Sequence, residues 1–212
     1  MQKFLPIFPL SMVAFPGETI HLHIFEPKYR QLIAECVEQN KSFGIPVVNK
    51  SEILDFGTEM HVVELVKKYA GGEMDITVLG IKAFRILDII KEIPDKLYSG
   101  AVVSEIENVV DFHSKTNTEL EHLIIELFQL LEIQDKLNRV GRKPDSFQLA
   151  HYVGFSLIEE FELLKHQRES VRQKIILEHV RKILPAVRQV AAIRERAKLN
   201  GQFRMINPPD FL

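Results

Sequence analysis

Three prolines in the first sixteen residues place the strongest constraint on this chain. The stretch from Phe4 to Pro16, FLPIFPLSMVAFP, is largely apolar, yet Pro6, Pro9 and Pro16 interrupt it. Each proline fixes φ and removes a backbone donor, so the stretch cannot form a helix or one long central strand. It predicts short edge-type strands broken by a turn at Pro16-Gly17. Beyond the turn, Thr19, His21 and His23 alternate with Ile20, Leu22 and Ile24, the period-two pattern of a half-buried strand. Pro27 then suits the first position of a helix, where its missing N–H would have no partner anyway.

In that helix Tyr29, Leu32, Ile33, Cys36 and Val37 recur at the spacing of one buried face. Cys36 lies on the face, and no activating base stands near it in sequence, so it reads as a structural thiol. The pattern then turns to strands. Ser42–Val48 is short and apolar. Gly57–Tyr69 alternates, with Met60, Val62, Leu65 and Val66 as expected inward positions. Gly71-Gly72 signals a hairpin. Met74–Ile90 follows, with Gly80 marking a bend or bulge, and Tyr98–Val109 completes the series. Six or so short strands with one early helix predict a closed or nearly closed small barrel.

Polar, aperiodic residues from Asp111 to Thr118 read as a linker, and the chain beyond is helical. Leu120, Leu123, Ile124, Leu127, Phe128 and Leu131 mark an amphipathic helix, with Thr116, Asn117 and Thr118 as capping candidates. Gly141 and Pro144 end that pattern. Asp145 or Ser146 caps a second helix with Phe147, Leu149, Val153 and Phe155. Ser156, followed by Glu159 and Glu160, caps a third. The longest helix runs from about Glu169 to Leu199 with Pro185 inside it, where a kink is expected. The predicted class is α+β, with a barrel subdomain over 1–112, a helical bundle over 113–200 and a non-helical tail over 201–212.

The N-terminal stretch resembles the LON N-terminal domain, the substrate-binding part of Lon proteases. The resemblance rests on Leu5-Pro6-Ile7-Phe8-Pro9-Leu10, Phe15-Pro16-Gly17 and Ile24-Phe25-Glu26-Pro27-Lys28-Tyr29. Gly80 followed by Phe84-Arg85 extends it. The form Phe-Glu-Pro-Lys-Tyr is similar to the stand-alone members of that family. The resemblance implies a PUA-like β-barrel followed by a helical bundle. It also implies a module that binds unfolded or extended protein segments, in concert with a protease or chaperone in protein quality control.

The chemistry of catalysis is sparse. The sequence contains no G-x-x-x-x-G-K-[ST] phosphate loop and no H-E-x-x-H, and the ATPase and serine–lysine peptidase that Lon proteases carry after this domain are not in it. A non-catalytic protein is expected, with no cofactor. His21 and His23 share a strand face and offer two ligands at most, so no metal is expected. One cysteine excludes an internal disulfide. Prolines interrupt the only N-terminal apolar run, and no segment approaches the ~20 apolar residues of a membrane span. The expected location is cytoplasmic.

Candidate peptide-binding residues are Phe8, Phe15, Phe25 and Tyr29, of which only those left exposed can contribute. Glu26, Pro27 and Arg85 form a structural motif. Glu26 is expected to accept backbone N–H bonds at the helix start or to pair with Arg85. Charge supplies an alternative function. Eleven Lys or Arg stand against three Glu between Lys165 and Met205, in a chain whose net charge is −2. Lys174, Arg181 and Arg188 recur every seven residues. Such a stripe either contacts nucleic-acid phosphates, as some PUA-like proteins do, or meets acidic helices nearby.

Overall fold

The computed structural model describes residues 1–111, 114–136 and 145–203, without the side chains of 114–117 and 199–203. Six strands carry the first part: β1 (Gln2–Pro6), β2 (Thr19–Ile24), β3 (Phe43–Asn49), β4 (Glu52–Lys68), β5 (Met74–Ile90) and β6 (Gly100–Glu105). Helix α1 (Pro27–Gln39) intervenes between β2 and β3. Four further helices follow: α2 (Ser114–Leu130), α3 (Ser146–Ala150), α4 (Leu157–Lys165) and α5 (Glu169–Phe203).

The strands form one antiparallel sheet in the order β1-β6-β5-β4-β3, with β2 paired to the first part of β5. Among the described residues its two edges, β1 and β3, form no ladder; the segment just after β1 meets β3 at two isolated parallel bridges, Ile7 with Gly44 and Leu10 with Val47. The sheet is thus barrel-like, but its ladder does not close. The prolines explain why the first segment pairs so briefly: Pro6 ends β1, and Pro9 lies between the two bridges.

The turn at Pro16-Gly17 is present, closed by the Glu18 N–H donating to the Phe15 carbonyl at 3.1 Å, with Gly17 at φ +81°. The bulge expected at Gly80 is also present, since Met60 pairs with Gly80 while Glu59 pairs with Lys82. Its cause is close approach: a Cβ on Gly80 would lie 2.1 Å from the Phe15 carbonyl oxygen. Gly80 and the turn exchange backbone bonds, Gly17 N–H to the Gly80 carbonyl and Gly80 N–H to the Glu18 carbonyl, both 2.8 Å.

The core lies inside the curled sheet, where Ile24 and Ile76 meet Leu32 and Ile33 of α1 and Phe43 and Met60 of the neighbouring strands. Burying each such side chain contributes about 1.5–3 kcal/mol. Cys36 is part of this core, and burial, followed by the charge of Glu35, pushes its thiol up to about 11. Val37, expected on the same face, is exposed. Leu65 and Val66, expected inward, are exposed too, at 41% and 55%. Leu65 nevertheless pairs with the buried Ile76 and so lies on the inward side, whereas Val66 falls at the register shift between Leu65 and Lys67.

Two compact units divide the chain: residues 1–112 with 145–172, and residues 113–144 with 173–212. In the first, α3 and α4 each begin with a capping box, Asp145 with Gln148 and Ser156 with Glu159. Phe15 stacks on Phe147 at 5.2 Å and Phe56 meets Phe161 edge-on at 6.1 Å. In the second unit, α2 begins at Ser114, so Thr116, Asn117 and Thr118 lie within the helix and do not precede it. Helix α5 extends to Phe203, beyond the start assigned to the tail, because Gly201 is tolerated in the last turn and the two adjacent prolines come only at 208 and 209. Pro185 lies inside α5 and removes the N–H that would bond the Arg181 carbonyl. Gly141 and Pro144 lie outside the described residues, as do residues 204–212.

Candidate functional site

In the first unit the outer face of the β2–β5–β4 ribbon presents a ledge of aromatic and apolar side chains. Because β2 alternates, His21 and His23 project to this face beside their β5 partners. The His21 Nδ1 lies 3.1 Å from Thr77 Oγ1 and the His23 Nδ1 2.6 Å from Asp75 Oδ1. The Tyr69 hydroxyl donates to the other oxygen of Asp75 at 2.7 Å. The His23 ring stacks on Phe25 (centroids 6.1 Å) and meets Tyr69 edge-on (5.9 Å), while Lys67 Nζ lies 4.3 Å from the Tyr69 centroid. Hydrogen bonds, first from His23 and then from Tyr69, hold the Asp75 carboxyl below the usual range. The same bond to Asp75 pushes the Tyr69 phenol up. Asp75 therefore stays ionised and anchors both rings.

Phe25 forms the prominent end of the ledge, 62% exposed, immediately before α1. Its exposure follows from position: Ile24 is the last inward residue of β2, and the chain turns at Glu26-Pro27 to start the helix. Val63 and Val66, exposed at the two register shifts of β4, add apolar surface along that strand, while Leu65 pairs with Ile76 on the inward side. Past Met60, β4 has β5 on one side and, among the described residues, no strand on the other. This part of β4 is a free sheet edge with exposed apolar side chains, bounded by Glu64, Lys67 and Lys68.

The four aromatic candidates are dispersed. Phe8 is core, between Tyr29 (4.1 Å) and Phe43 (6.5 Å). Phe15 is 1% exposed. Tyr29 is half-buried beneath the Lys28 ammonium, 4.5 Å from its centroid. Phe25 alone of the four stands on the ledge. Tyr69 and Val63 carried no signal of their own in the sequence, and Val66 was expected to face inward. For Val66 a signal existed: Leu65-Val66 puts two apolar residues side by side, and a regular strand can turn only one of them inward.

Glu26 occupies the N-cap position of α1, but its side chain makes no capping bond. Its carbonyl accepts from the Tyr29 and Arg30 N–H groups (3.0 and 2.9 Å), and its carboxylate pairs with Lys28 at 3.2 Å. The alternative pairing with Arg85 is not made either. Arg85 lies in the part of β5 that pairs with β6 and binds Asp55 at 3.3 Å. Pro27 is at the first helical turn, as expected.

In the second unit the basic stripe faces carboxylates. Arg181 bonds Glu119, and Arg188 bonds Glu126 through two contacts of 2.6 and 2.9 Å. Both pairs are 62 residues apart in sequence, so α2 and α5 run in the same direction with seven-residue register. Lys174 pairs along its own helix with Glu178 at 3.9 Å. Among the described residues no group of three or more His, Cys, Asp or Glu converges as a metal site, and no helix is long and apolar enough to cross a membrane.

The ATP-dependent protease La (LON) substrate-binding domain model matches residues 4–182, most of the chain. The protein belongs to the LON substrate-binding domain family. Among curated proteins it is similar to the Lon protease of Syntrophus aciditrophicus, 27% identical over 150 residues. That match takes in 65% of this chain and 18% of the protease's length. Solved structures agree on the fold of this LON domain. The Lon N-terminal domain protein of Xanthomonas campestris superposes with a TM-score of 0.62 at 22% identity, covering 83% of this chain and 98% of that one. The N-terminal domain of the Mycobacterium avium complex Lon protease gives 0.66 at 15% identity, covering 84% and 98%.

Proposed function

We propose that this LON domain is a non-catalytic module that binds unfolded or extended protein segments through the Phe25 ledge and the adjoining β4 edge, as an adaptor for a cytoplasmic protease or chaperone. The observation that carries this reading is the contiguous, solvent-exposed set Phe25, His23 and Tyr69 beside exposed Val63 and Val66. A large aromatic ring that stacks on His23 by one face and still stands 62% exposed is a hydrophobic anchor open to a partner. A free strand edge next to it offers backbone groups to an extended segment. The nucleic-acid alternative has less support, because Arg181 and Arg188 already pair with Glu119 and Glu126.

Fluorescence anisotropy of a labelled, permanently unfolded model protein tests the reading. Phe25→Ala and Val66→Asp are expected to weaken binding about tenfold each without lowering the melting temperature. Binding that ignores both substitutions would remove the ledge from the function. Binding of nucleic acid with a steep salt dependence would favour the alternative.

A further inference from the structure

Where the sheet fails to close, it leaves a pocket of about 510 Å³ in the first unit. Phe4, Leu5 and Pro6 of β1 line one side, and Ser42 and Glu59 come from the β3–β4 side. The backbone parity of β1 determines what this gap presents. The Ile7 N–H donates to the Ser99 carbonyl at 2.9 Å and the Glu105 N–H to the Met1 carbonyl at 3.1 Å, so odd-numbered residues of this segment bond toward β6. Even-numbered residues face away from it, by the alternation of an antiparallel ladder. Phe8 obeys the rule, its N–H crossing to the Gly44 carbonyl at 2.8 Å. Phe4 therefore turns its N–H and C=O toward the seam, and among the described residues no strand pairs with it there.

The charges of the pocket are unevenly matched. The Glu35 carboxylate accepts from Lys96 Nζ (2.8 Å) and the Tyr98 hydroxyl (2.6 Å), and Glu59 accepts from Lys3 Nζ (2.6 Å). Both acids are thus neutralised by neighbours. Lys41 also lines the pocket, and it makes no ion pair among the described residues. The site combines an unpaired strand edge, an apolar wall of Leu5, Ile93 and the Phe4 ring, and one uncompensated cation. Its volume lies in the lower part of the range for small-ligand sites, which suits the end of a strand better than a long stretch passing through.

We infer that the open seam of this barrel receives the C-terminal end of an extended polypeptide. The terminal peptide groups pair with the Phe4 backbone, the last apolar side chain packs on Leu5 and Ile93, and the terminal carboxylate meets Lys41. The inference rests on the reading that this domain binds protein segments, but it uses a site separate from the Phe25 ledge. Backbone pairing supplies affinity and the pocket supplies end-selectivity, two modes of peptide recognition combined.

Calorimetric titration of the full chain with a short unstructured peptide ending in leucine provides the test. The free acid is expected to bind about tenfold more tightly than its carboxamide, as a charge-assisted contact implies. Lys41→Glu should abolish that preference, and N-methylation near the peptide's end should weaken the free acid. Equal binding of acid and amide, or an unchanged preference in Lys41→Glu, would overturn the inference. So would hexanoate binding as tightly as the peptide, which would make the occupant a small free acid. An unfolded model protein with an amidated C-terminus separates the two sites. If it still binds and Phe25→Ala weakens it, the ledge stands whatever the seam does. If it fails to bind while the free-acid peptide succeeds, the ledge falls and the seam stands.

Discussion

Arg172 and Glu169 form an ion pair at 2.7 Å with both side chains buried, three residues apart at the start of α5. Every guanidinium donor of Arg172 is used. Nε reaches Ser146 Oγ, Nη1 bonds the His166 and Gln167 carbonyls, and Nη2 bonds Glu169 and Asn108 Oδ1, all between 2.7 and 2.9 Å. Glu169 also accepts from the Ser146 N–H at 2.8 Å and thereby caps α3. The guanidinium lies 4.1 Å from the Phe147 centroid. One arginine thus ties the segment after β6 to α3 and to the first turn of α5.

Removing one member strands the other charge in a dry site, which typically costs about 3–5 kcal/mol. Arg172→Met is expected to lower the urea midpoint accordingly. Arg172→Lys should recover little, because an ammonium cannot reproduce the five-donor planar fork. The double substitution Arg172→Met with Glu169→Met should be less destabilised than Arg172→Met alone.

His151 is clamped between Glu160 (Nδ1, 2.7 Å) and Glu18 (Nε2, 3.2 Å), with its ring 5.0 Å from that of Phe15. Hydrogen bonds to Glu160 and then Glu18 raise its folded pKa to about 10. A pKa raised on folding stabilises fully below the unfolded value of about 6.5 and loses that contribution as pH climbs through the folded value. Wild type should therefore exceed His151→Gln in stability at pH 6, and the gap should shrink toward pH 10. Denaturant titrations at both pH values check the sign; a gap that widens with pH would contradict the clamp.

Gly80→Ala places a methyl group 2.1 Å from the Phe15 carbonyl oxygen, and neither backbone segment can yield without breaking the bonds joining them. A loss of about 1–3 kcal/mol or more is expected from thermal unfolding. Phe25→Ala, in contrast, should change stability by no more than about 0.5 kcal/mol.

The Arg188–Glu126 pair predicts a charge-swap rescue. Arg188→Glu alone should destabilise the second unit slightly by setting two carboxylates together. Adding Glu126→Arg should restore it, and high salt should erase the coupling, since both groups are solvent-accessible.

Features set by local chemistry were legible in the sequence. Pro16-Gly17, Gly71-Gly72, the α1 start at Pro27 and the caps at Asp145 and Ser156 each follow from a residue whose own backbone preference selects the conformation. Features set by distant partners were not. The Lys50-Ser51 turn joins β3 to β4 with φ values of 47° and 71°, yet neither residue favours positive φ, so the start of β4 at Glu52 was missed. Bulges in β4 leave Val63 and Val66 out of the register and turn Leu65 to the side of Ile76, and only the pairing with β5 reveals them. The seven-residue basic stripe was visible, whereas its acidic counterpart depends on α2 lying parallel to it. For the site, Phe25 was among the residues named, but its exposure came from the turn of chain after Ile24, which composition does not encode.

The discontinuity of the first unit has a bearing on synthesis. Its sheet is translated by residue 112, but α3, α4 and the Arg172 cluster belong to the same unit and arrive only with residues 145–172. At roughly 5–20 residues per second, a ribosome takes about 3–12 seconds to deliver the intervening and completing sixty residues. For the first part of that interval the nascent sheet waits without the Phe147 and Phe161 that cover Phe15 and Phe56. The barrel of this substrate-binding domain is then itself an incomplete chain with exposed aromatic surface, in need of shelter from the machinery that handles such chains.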